Sequence, residues 1–269
     1  MRCLFLILAV VSGPVFAAPL SDDVLDRLAL APVVIAGEVH DNPAHHAAQA
    51  RIVAHMQPRA IVFEMLTEAQ AALVTPQNRG DEAALEAALN WSGSGWPDFA
   101  MYYPIFAAAP EAAIYGAAVP RDAARAAMQA GIADSFGADA VDFGLTDPLP
   151  AEMQAAQEAL QQAAHCNAMP PEMLPVMVDL QRLRDAVLAR ETLRALDETG
   201  GPVVLITGNG HARRDWGVPV LIGNLRPDLD VLSIGQQEDG GGAPGGFDIV
   251  LSAPAVERPD PCEAFRNRG

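Results

Sequence analysis

The sequence contains no lysine and only three cysteines. Its 17 cationic side chains are all arginines, against 34 aspartates and glutamates, so the formal charge is −17. Phosphate backbones and anionic lipids would repel such a chain, which argues against a nucleic-acid-binding protein or a protein held on a membrane surface by charge. Three cysteines are too few for a disulfide-dense scaffold, and a hydrophobic content of 51% excludes a disordered chain. A chain of 269 residues with this composition predicts one large domain or two small ones with a sizeable core.

Long apolar runs are also scarce, apart from one near the N-terminus. Arg2 precedes an apolar run at 3–11, and small residues follow it, a pattern that predicts a cleavable signal peptide over 1–17. The run is too short to cross a bilayer, and Cys3 lies too early to be the lipid-bearing cysteine of a lipoprotein. We therefore expect residues 18–269 to be exported, to the periplasm or outside the cell, without a lipid anchor.

Two cysteines, Cys166 and Cys262, remain in the expected mature chain. Export to an oxidising compartment favours a disulfide between them. Two buried free thiols fit the sequence as well, because sequence alone does not show that the two residues are close in space.

Short β-branched apolar runs alternate with helical segments along the chain. Strands are predicted at 33–36, 60–63, 112–119, 203–207, 218–222 and 231–234. This alternation predicts an α/β fold with a mainly parallel sheet flanked by helices. The helical segments at about 67–110 and 150–198 are too long for simple crossovers, so we expect them to form a smaller helical subdomain.

The pattern Gly-x-x-His occurs twice, at 37–40 and 208–211, each time directly after a predicted strand. Because the carboxyl ends of parallel strands form the ligand crevice of such sheets, we expect His40 and His211 to meet at one site. Other strand ends bring further charged side chains to the same edge. They are Glu38, Glu64 and Arg121.

Two interpretations fit these residues. His40 and His211, with Glu38 or Glu64, would bind a divalent metal ion and leave a position open for water, with a remaining carboxylate as general base. Alternatively, these are ordinary polar loops that follow strands. The adjacent tyrosines Tyr102 and Tyr103 are typical of a core cluster, although a tyrosine oxygen also serves as a haem ligand.

Neighbouring residues extend both motifs. His45 and His46 lie on different faces of a helix predicted to start at Pro43, so at most one points at the site. We expect His45 to be solvated and keep His46 as the candidate. Arg213 and Arg214 follow His211, where they would either hold ligand carboxylates or pair with the acidic surface of the protein itself.

Taken together, these pieces resemble the ChaN family of haem-binding uptake proteins, within the Tiki/TraB/erythromycin-esterase-like superfamily. The matching segments are GEVHDNPAHH (37–46), FEM (63–65), the Trp-Pro to Tyr-Tyr-Pro stretch (96–104), VPR (119–121) and GNGHARRDWGVPV (208–220). The resemblance implies a parallel α/β domain with a smaller helical domain. It also implies a role in iron uptake, with haem held at a homodimer interface and tyrosine and histidine on the iron side.

The resemblance assigns haem as the ligand and outer-membrane or periplasmic haem-transport components as partners. The candidate haem contacts in this chain are Tyr102, Tyr103, His46, Arg121, Arg213 and Arg214, with Tyr115 as a poorer tyrosine candidate. The wider superfamily includes metal-dependent proteases with paired Gly-x-x-His motifs. The alternative function is therefore a hydrolase in which His40 and His211 bind a divalent metal ion and Glu38 and Glu64 are catalytic.

Overall fold

The computed structural model describes residues 20–260 and 262–263. The predicted signal peptide, 1–17, lies outside the described residues. No helix within the described part is both long enough and apolar enough to cross a bilayer.

A parallel sheet forms the centre of the molecule. Its strands are β1 (Val33–Glu38), β2 (Ala60–Phe63), β3 (Ala113–Gly116), β4 (Val203–Gly208), β5 (Val231–Glu238) and β6 (Ile249–Ala253). Among the described residues these six strands form one sheet in the order β3-β2-β4-β1-β5-β6, and all neighbouring pairs are parallel. The predicted α/β fold with a parallel sheet flanked by helices is confirmed. All strands consequently end at the same edge, which is the edge at which the sequence predicts the site.

Helices cover both faces of this sheet. They are α1 (Asp22–Ala29), α2 (Pro43–Met56), α3 (Glu68–Ala71), α4 (Pro76–Arg79), α5 (Glu82–Leu89), α6 (Phe99–Ala108), α7 (Arg121–Ala130), α8 (Ile132–Phe136), α9 (Ala151–Ala164), α10 (Leu174–Thr199), α11 (Asn209–Ala212) and α12 (Val218–Leu225). Several starts follow the usual capping chemistry. Asn42 accepts a hydrogen bond from the Ala44 amide and Pro43 occupies the first turn of α2, because proline has no amide hydrogen to lose there.

The strand predicted at 218–222 is wrong, since this segment lies in helix α12. Val218, Pro219 and Ile222 are its buried residues, a spacing that places them on one side of a helix. Proline fits the first turn of a helix but would break the hydrogen-bond ladder of an interior strand. A run of five apolar residues is too short for its periodicity to separate the two structures.

Alternate strand residues build two separate cores. Val34 and Ile61 point into one core with helices α1, α2, α5 and α6, whereas Val33 and Val62 point into the other with α7, α8, α10 and α12. Residues 67–110 therefore contribute to the first face of the sheet, and the long helix within 150–198 covers the second.

A disulfide joins Cys166, just after α9, to Cys262 in the C-terminal segment, with 5.4 Å between the two Cα atoms. Of the two alternatives that the sequence left open, the structure contains the disulfide. It ties the end of the α9–α10 hairpin to the chain that follows β6.

Candidate ligand-binding site

A cleft of about 630 Å³ opens at the carboxyl edge of the sheet. It lies beyond the ends of β2, β3 and β4, between the loop before α6 and helix α10. The side chains that matter below are Glu64, Trp96, Arg121, Arg184, Leu188 and His211. Its size is within the ordinary range for small-molecule sites.

The buried carboxylate of Glu38, at the end of β1, organises the inner part of the site. Its Oε1 accepts hydrogen bonds from His40 Nδ1 at 2.7 Å and from the Tyr102 hydroxyl at 3.0 Å. Its Oε2 lies 3.2 Å from His46 Nδ1. Burial acts to raise the pKa of Glu38, but the hydrogen bonds and charges of His40 and His46 outweigh it and lower the pKa. Glu38 is thus an ionised anchor for three side chains.

Tyr102 lies beneath the site and not at its mouth. Its side chain is fully buried, and its ring packs 4.1 Å from that of His46. Burial and the negative charge of Glu38 raise the pKa of Tyr102 far above its usual range. The hydroxyl therefore stays protonated and donates a hydrogen bond to Glu38. Tyr103, the next residue on α6, is half-buried and packs against the same core.

His40 is the histidine of the pair that reaches solvent. About 35% of its side chain is exposed, and its ring lies 4.9 Å from that of Trp96 in the cleft wall. A Cβ at Gly208 would stand 2.8 Å from His40 Nε2. The glycine that opens the second motif is thus what leaves room for the histidine of the first motif. Burial acts to lower the pKa of His40, but Glu38 and Glu64 raise it.

The second motif histidine lies between two buried carboxylates. His211 Nδ1 donates to Asp185 Oδ1 at 2.6 Å, and its Nε2 is 3.4 Å from Glu64 Oε1. The other oxygen of Glu64 accepts from the Thr207 hydroxyl at 2.6 Å and from the Gly208 amide at 2.8 Å. Strand β4 thus supplies the donors that hold Glu64 at the end of β2.

The charges of this array follow from burial and pairing. Burial acts to lower the pKa of His211, but the charges of Glu64 and Asp185 raise it to about 10. Burial raises the pKa of Asp185 to about 6, whereas His211 holds the pKa of Glu64 well below its usual range despite burial. At neutral pH the array is a carboxylate–imidazolium–carboxylate row that exposes little surface.

The structure brings His40 and His211 to the same carboxylate, because Glu64 lies 3.4 Å from His211 Nε2 and the charges of Glu64 and His211 both act on the pKa of His40. Among the described residues, no group of three or more histidines, cysteines, aspartates or glutamates is arranged to hold a metal ion. In this arrangement both nitrogens of His211 face carboxylate oxygens, so a metal ion bound there would displace the protons that His211 shares with Asp185 and Glu64. The divalent-metal alternative stays a prediction.

The structure does not bring Arg213 or Arg214 to the cleft. Arg213 forms two hydrogen bonds of 2.5 and 2.6 Å with Asp215 and lies over the Trp216 ring. Arg214 pairs with Asp248 and with the carbonyl of Val231, at the start of β5 and so at the opposite end of the strand. Both guanidinium groups pair with the acidic surface of the protein, which is the second of the two roles that the sequence left open. Arg121, in contrast, lines the cleft.

Both histidines at the start of α2 are buried, so the expectation of a solvated His45 is wrong. The Val39 amide donates to His45 Nδ1 at 3.0 Å, and Gln236 donates to the His45 carbonyl. The first turn of α2 lies between the loop after β1 and strand β5, so its two faces are both covered. His46 Nε2 lies 2.8 Å from the carbonyl of His40 and helps to hold the backbone of that residue in place.

The sequence interpretation missed two residues of α10, Asp185 and Arg184. Asp185 lies seven residues after Val178 and three before Leu188, both of which are buried on the same helix. The signal that could have identified Asp185 is a charged residue within the buried stripe of a helix. Arg184 gave no comparable signal, because half-buried arginines recur along this helix.

The comparison with known families identifies the family of this chain. The sequence profile of the family described as "Haem-binding uptake, Tiki superfamily, ChaN" matches residues 24–222. The chain belongs to this family. The resemblance drawn from the motifs is thereby confirmed, and the match covers both Gly-x-x-His motifs. No curated protein matches the chain significantly.

Two solved structures resemble the fold. One is described as "Cofacial heme binding to ChaN of Campylobacter jejuni", with a TM-score of 0.66, 19% identity, and coverage of 85% of this chain and 90% of that chain. The other, the type III effector HopBA1, has a TM-score of 0.49, 14% identity, and coverage of 92% and 100%. At such identities the first similarity supports the shared fold, and the second carries no weight here.

Proposed function

We propose that this protein is an exported haem-binding protein that takes part in haem or iron uptake. Membership of a haem-binding family supports the ligand class. The observation that carries the proposal in this chain is the cleft at the carboxyl edge of the sheet. It combines an aromatic wall at Trp96, an imidazole beside it at His40 and arginines in its lining. Haem needs the same three features, because it has an apolar ring system, an iron and two acidic side chains.

His40 is the iron-side histidine that we favour. Glu38 holds its Nδ1, and carboxylates orient metal-binding histidines in this way while the other nitrogen stays available. Tyr103 is the tyrosine that we favour, since Tyr102 is buried and donates to Glu38. His46 supports His40, because His46 Nε2 contacts the backbone carbonyl of His40. In uptake, haem is cargo that the protein must release, and the chain has no Cys-x-x-Cys-His motif for covalent attachment.

Export, assembly and partners belong to the same proposal. The pattern at 1–17 supports removal of a signal peptide and a periplasmic or secreted protein. The family resemblance supports a homodimer that forms around haem, and haem-transport components of the outer membrane or periplasm as partners.

Titration of the protein with haemin, followed by absorbance, tests this function. We expect a sharp, saturable Soret band at a fixed ratio of haem to chain. His40→Ala and Tyr103→Phe should change the band position or weaken binding. His55→Ala and Tyr115→Phe are the matched controls, because His55 pairs with Asp26 on the surface and Tyr115 donates to Glu198. A broad aggregate spectrum that none of the variants changes would contradict haem binding.

A hydrolase is the second candidate, and the row of Glu64, His211 and Asp185 favours it. An imidazole held by carboxylates beside a cleft is typical of general acid–base sites. We expect metal-stimulated cleavage of a peptide or ester that His211→Ala and His40→Ala abolish. The absence of both bound metal and turnover over a panel of such substrates would rule out this activity.

A further inference from the structure

The charges that line the cleft differ from those of the protein as a whole. The sequence has twice as many acidic residues as arginines. Among the described residues of the lining, however, Glu64 is the one carboxylate, beside Arg121, Arg184 and a protonated His211. The hydrogen-bonding atoms of Glu64 are already engaged by Thr207, Gly208 and His211. The lining thus carries an excess of positive charge in a strongly acidic protein.

Both arginines of the cleft, Arg121 and Arg184, are free of hydrogen bonds and ion pairs in the part of the chain that the structure describes, although the charge of Arg184 acts on the neighbouring Asp185. The nearest carboxylate to Arg184 along the helix is Asp185, whose Oδ1 accepts from His211. By comparison, Arg213, Arg214 and Arg258 all pair with carboxylates. Two guanidinium groups that form no such pair and line the same cleft are available to a ligand.

The two arginines reach the cleft from different elements. Arg121 begins α7, directly after Pro120, and its Nη2 lies against the loop that carries Trp96, 3.8 Å from the Cβ position of Gly95. Arg184 comes from the middle of α10 and is half-buried. Trp96 and Leu188 supply apolar surface to the same lining. The cleft therefore suits a flat apolar ligand with more than one acidic group.

We propose that Arg121 and Arg184 bind the carboxylate groups of the ligand, which are the two propionates of haem. This assignment rests on the proposed function and deepens it, because it gives the orientation of haem in the cleft. The acidic edge of haem lies towards α7 and α10. Guanidinium groups suit this role, since their planar arrays of donors match a carboxylate in two hydrogen bonds.

The test compares haemin with its dimethyl ester, in which both propionates are neutral. Binding of each ligand is followed by its absorbance and by quenching of tryptophan fluorescence. The variants are Arg121→Gln, Arg184→Gln and the double variant, which remove charge but keep length and polarity. Arg125→Gln is the matched control, because Arg125 is an exposed residue of α7 outside the cleft lining. Far-ultraviolet circular dichroism verifies that each variant is folded.

The native protein should bind haemin more tightly than the ester. Each charge-assisted hydrogen bond favours binding by roughly tenfold, and less where the arginine reaches solvent. We therefore expect Arg184→Gln to weaken haemin binding about tenfold and Arg121→Gln several-fold, with the double variant losing the preference for haemin over the ester. Ester binding should stay as in the native protein, and Arg125→Gln should change neither affinity.

Two results would overturn the assignment while leaving haem binding intact. One is a double variant that keeps the native preference for haemin over the ester. The other is an equal loss of both affinities in a folded variant, which would indicate a general disturbance of the cleft. Failure of the proposed function looks different, because the native protein itself would then bind neither ligand at a saturable site.

Discussion

At the scale of single residues, His211 illustrates how pairing overcomes burial. An isolated imidazole in the interior would be neutral, since burial disfavours its charged form. Two carboxylates, Asp185 at 2.6 Å and Glu64 at 3.4 Å, keep it charged. Glu64 is held in addition by hydrogen bonds from the Thr207 hydroxyl and the Gly208 amide. Removal of one charged side chain of this row should leave the remaining buried charges without a partner of opposite sign.

Glu64→Gln removes one charge of this row and keeps its shape, and the lowered pKa of Glu64 means that its ionised form stabilises the fold. We expect the free energy of unfolding to fall by about 3 kcal/mol, because the imidazolium of His211 then has one carboxylate instead of two. Urea unfolding near neutral pH measures the change. The matched control is Asp197→Asn, which removes an exposed pair with Arg226 and should cost less than about 1 kcal/mol. Equal effects of the two substitutions would contradict a charged row at His211.

At the scale of elements, glycine decides how closely α11 and α12 approach each other. Gly217 lies at the start of α12, where a Cβ would overlap the carbonyl oxygen of His211 and stand 2.7 Å from that of Arg213. Both are backbone atoms, so they cannot move aside as a flexible side chain can. Helix α11 carries His211, and the position of this histidine therefore depends on Gly217.

We expect Gly217→Ala to lower the free energy of unfolding by roughly 1–3 kcal/mol, the usual cost of forcing atoms into a packed region. Gly223→Ala is the matched control in the same helix. Its added methyl group would meet nothing within 4 Å, so it should be neutral or stabilise by up to about 1 kcal/mol through helix propensity. Thermal unfolding with and without haemin measures both effects. If Gly217→Ala were as stable as Gly223→Ala, the close approach of α11 and α12 would be wrong.

The strands also differ in how much of their structure a sequence reveals. The runs at 33–36 and 203–207 are β-branched, buried on both faces and central in the sheet, so pattern and tertiary structure agree. The run at 218–222 is equally apolar but covers one side of a helix. The glycine and proline that open this helix were the local signals that separated the two cases.

At the scale of the whole molecule, the C-terminal segment returns to the edge of the sheet that carries the site. Arg258 donates to Asp41 at 2.6 and 2.7 Å and to both oxygens of Glu238 at 2.7 Å. Asp41 directly follows His40, and Glu238 ends β5. The disulfide from Cys262 to Cys166 secures the same segment to the α9–α10 hairpin. The C-terminal segment is thus joined both to the edge of the sheet that carries the site and to the α9–α10 hairpin.

The pairing of Arg258 with Asp41 and Glu238 predicts that the stability of the protein depends on pH. The hydrogen bonds from Arg258 lower the pKa of Glu238 to about 2 from its ordinary 4.5. Because the folded pKa is depressed, the stabilisation is complete above about 4.5 and is lost as the pH falls towards 2. Arg258→Gln should reduce stability at neutral pH by about 1 kcal/mol, since the cluster reaches solvent, and should flatten the pH dependence in this window.

Urea unfolding of the native protein and of Arg258→Gln across this pH window measures the effect. Arg51→Gln is the control, because Arg51 donates to the carbonyl of Leu20 and to no carboxylate within the described chain. Its pH dependence should follow that of the native protein. A slope for Arg258→Gln that equals the native slope would show that Glu238 owes its low pKa to other groups.

The sequence by itself determined the parallel sheet and the meeting of His40 and His211 at one edge. Apolar runs specify buried strands, and the carboxyl ends of parallel strands share an edge whatever the details of packing. Only the tertiary structure decided which partner each side chain takes. Asp185 pairs with His211 and Asp215 with Arg213, whereas Arg121 and Arg184 form no hydrogen bond or ion pair among the described residues. Such pairings depend on how α10 and the loops lie against the sheet, and contacts between residues distant in the chain set that arrangement.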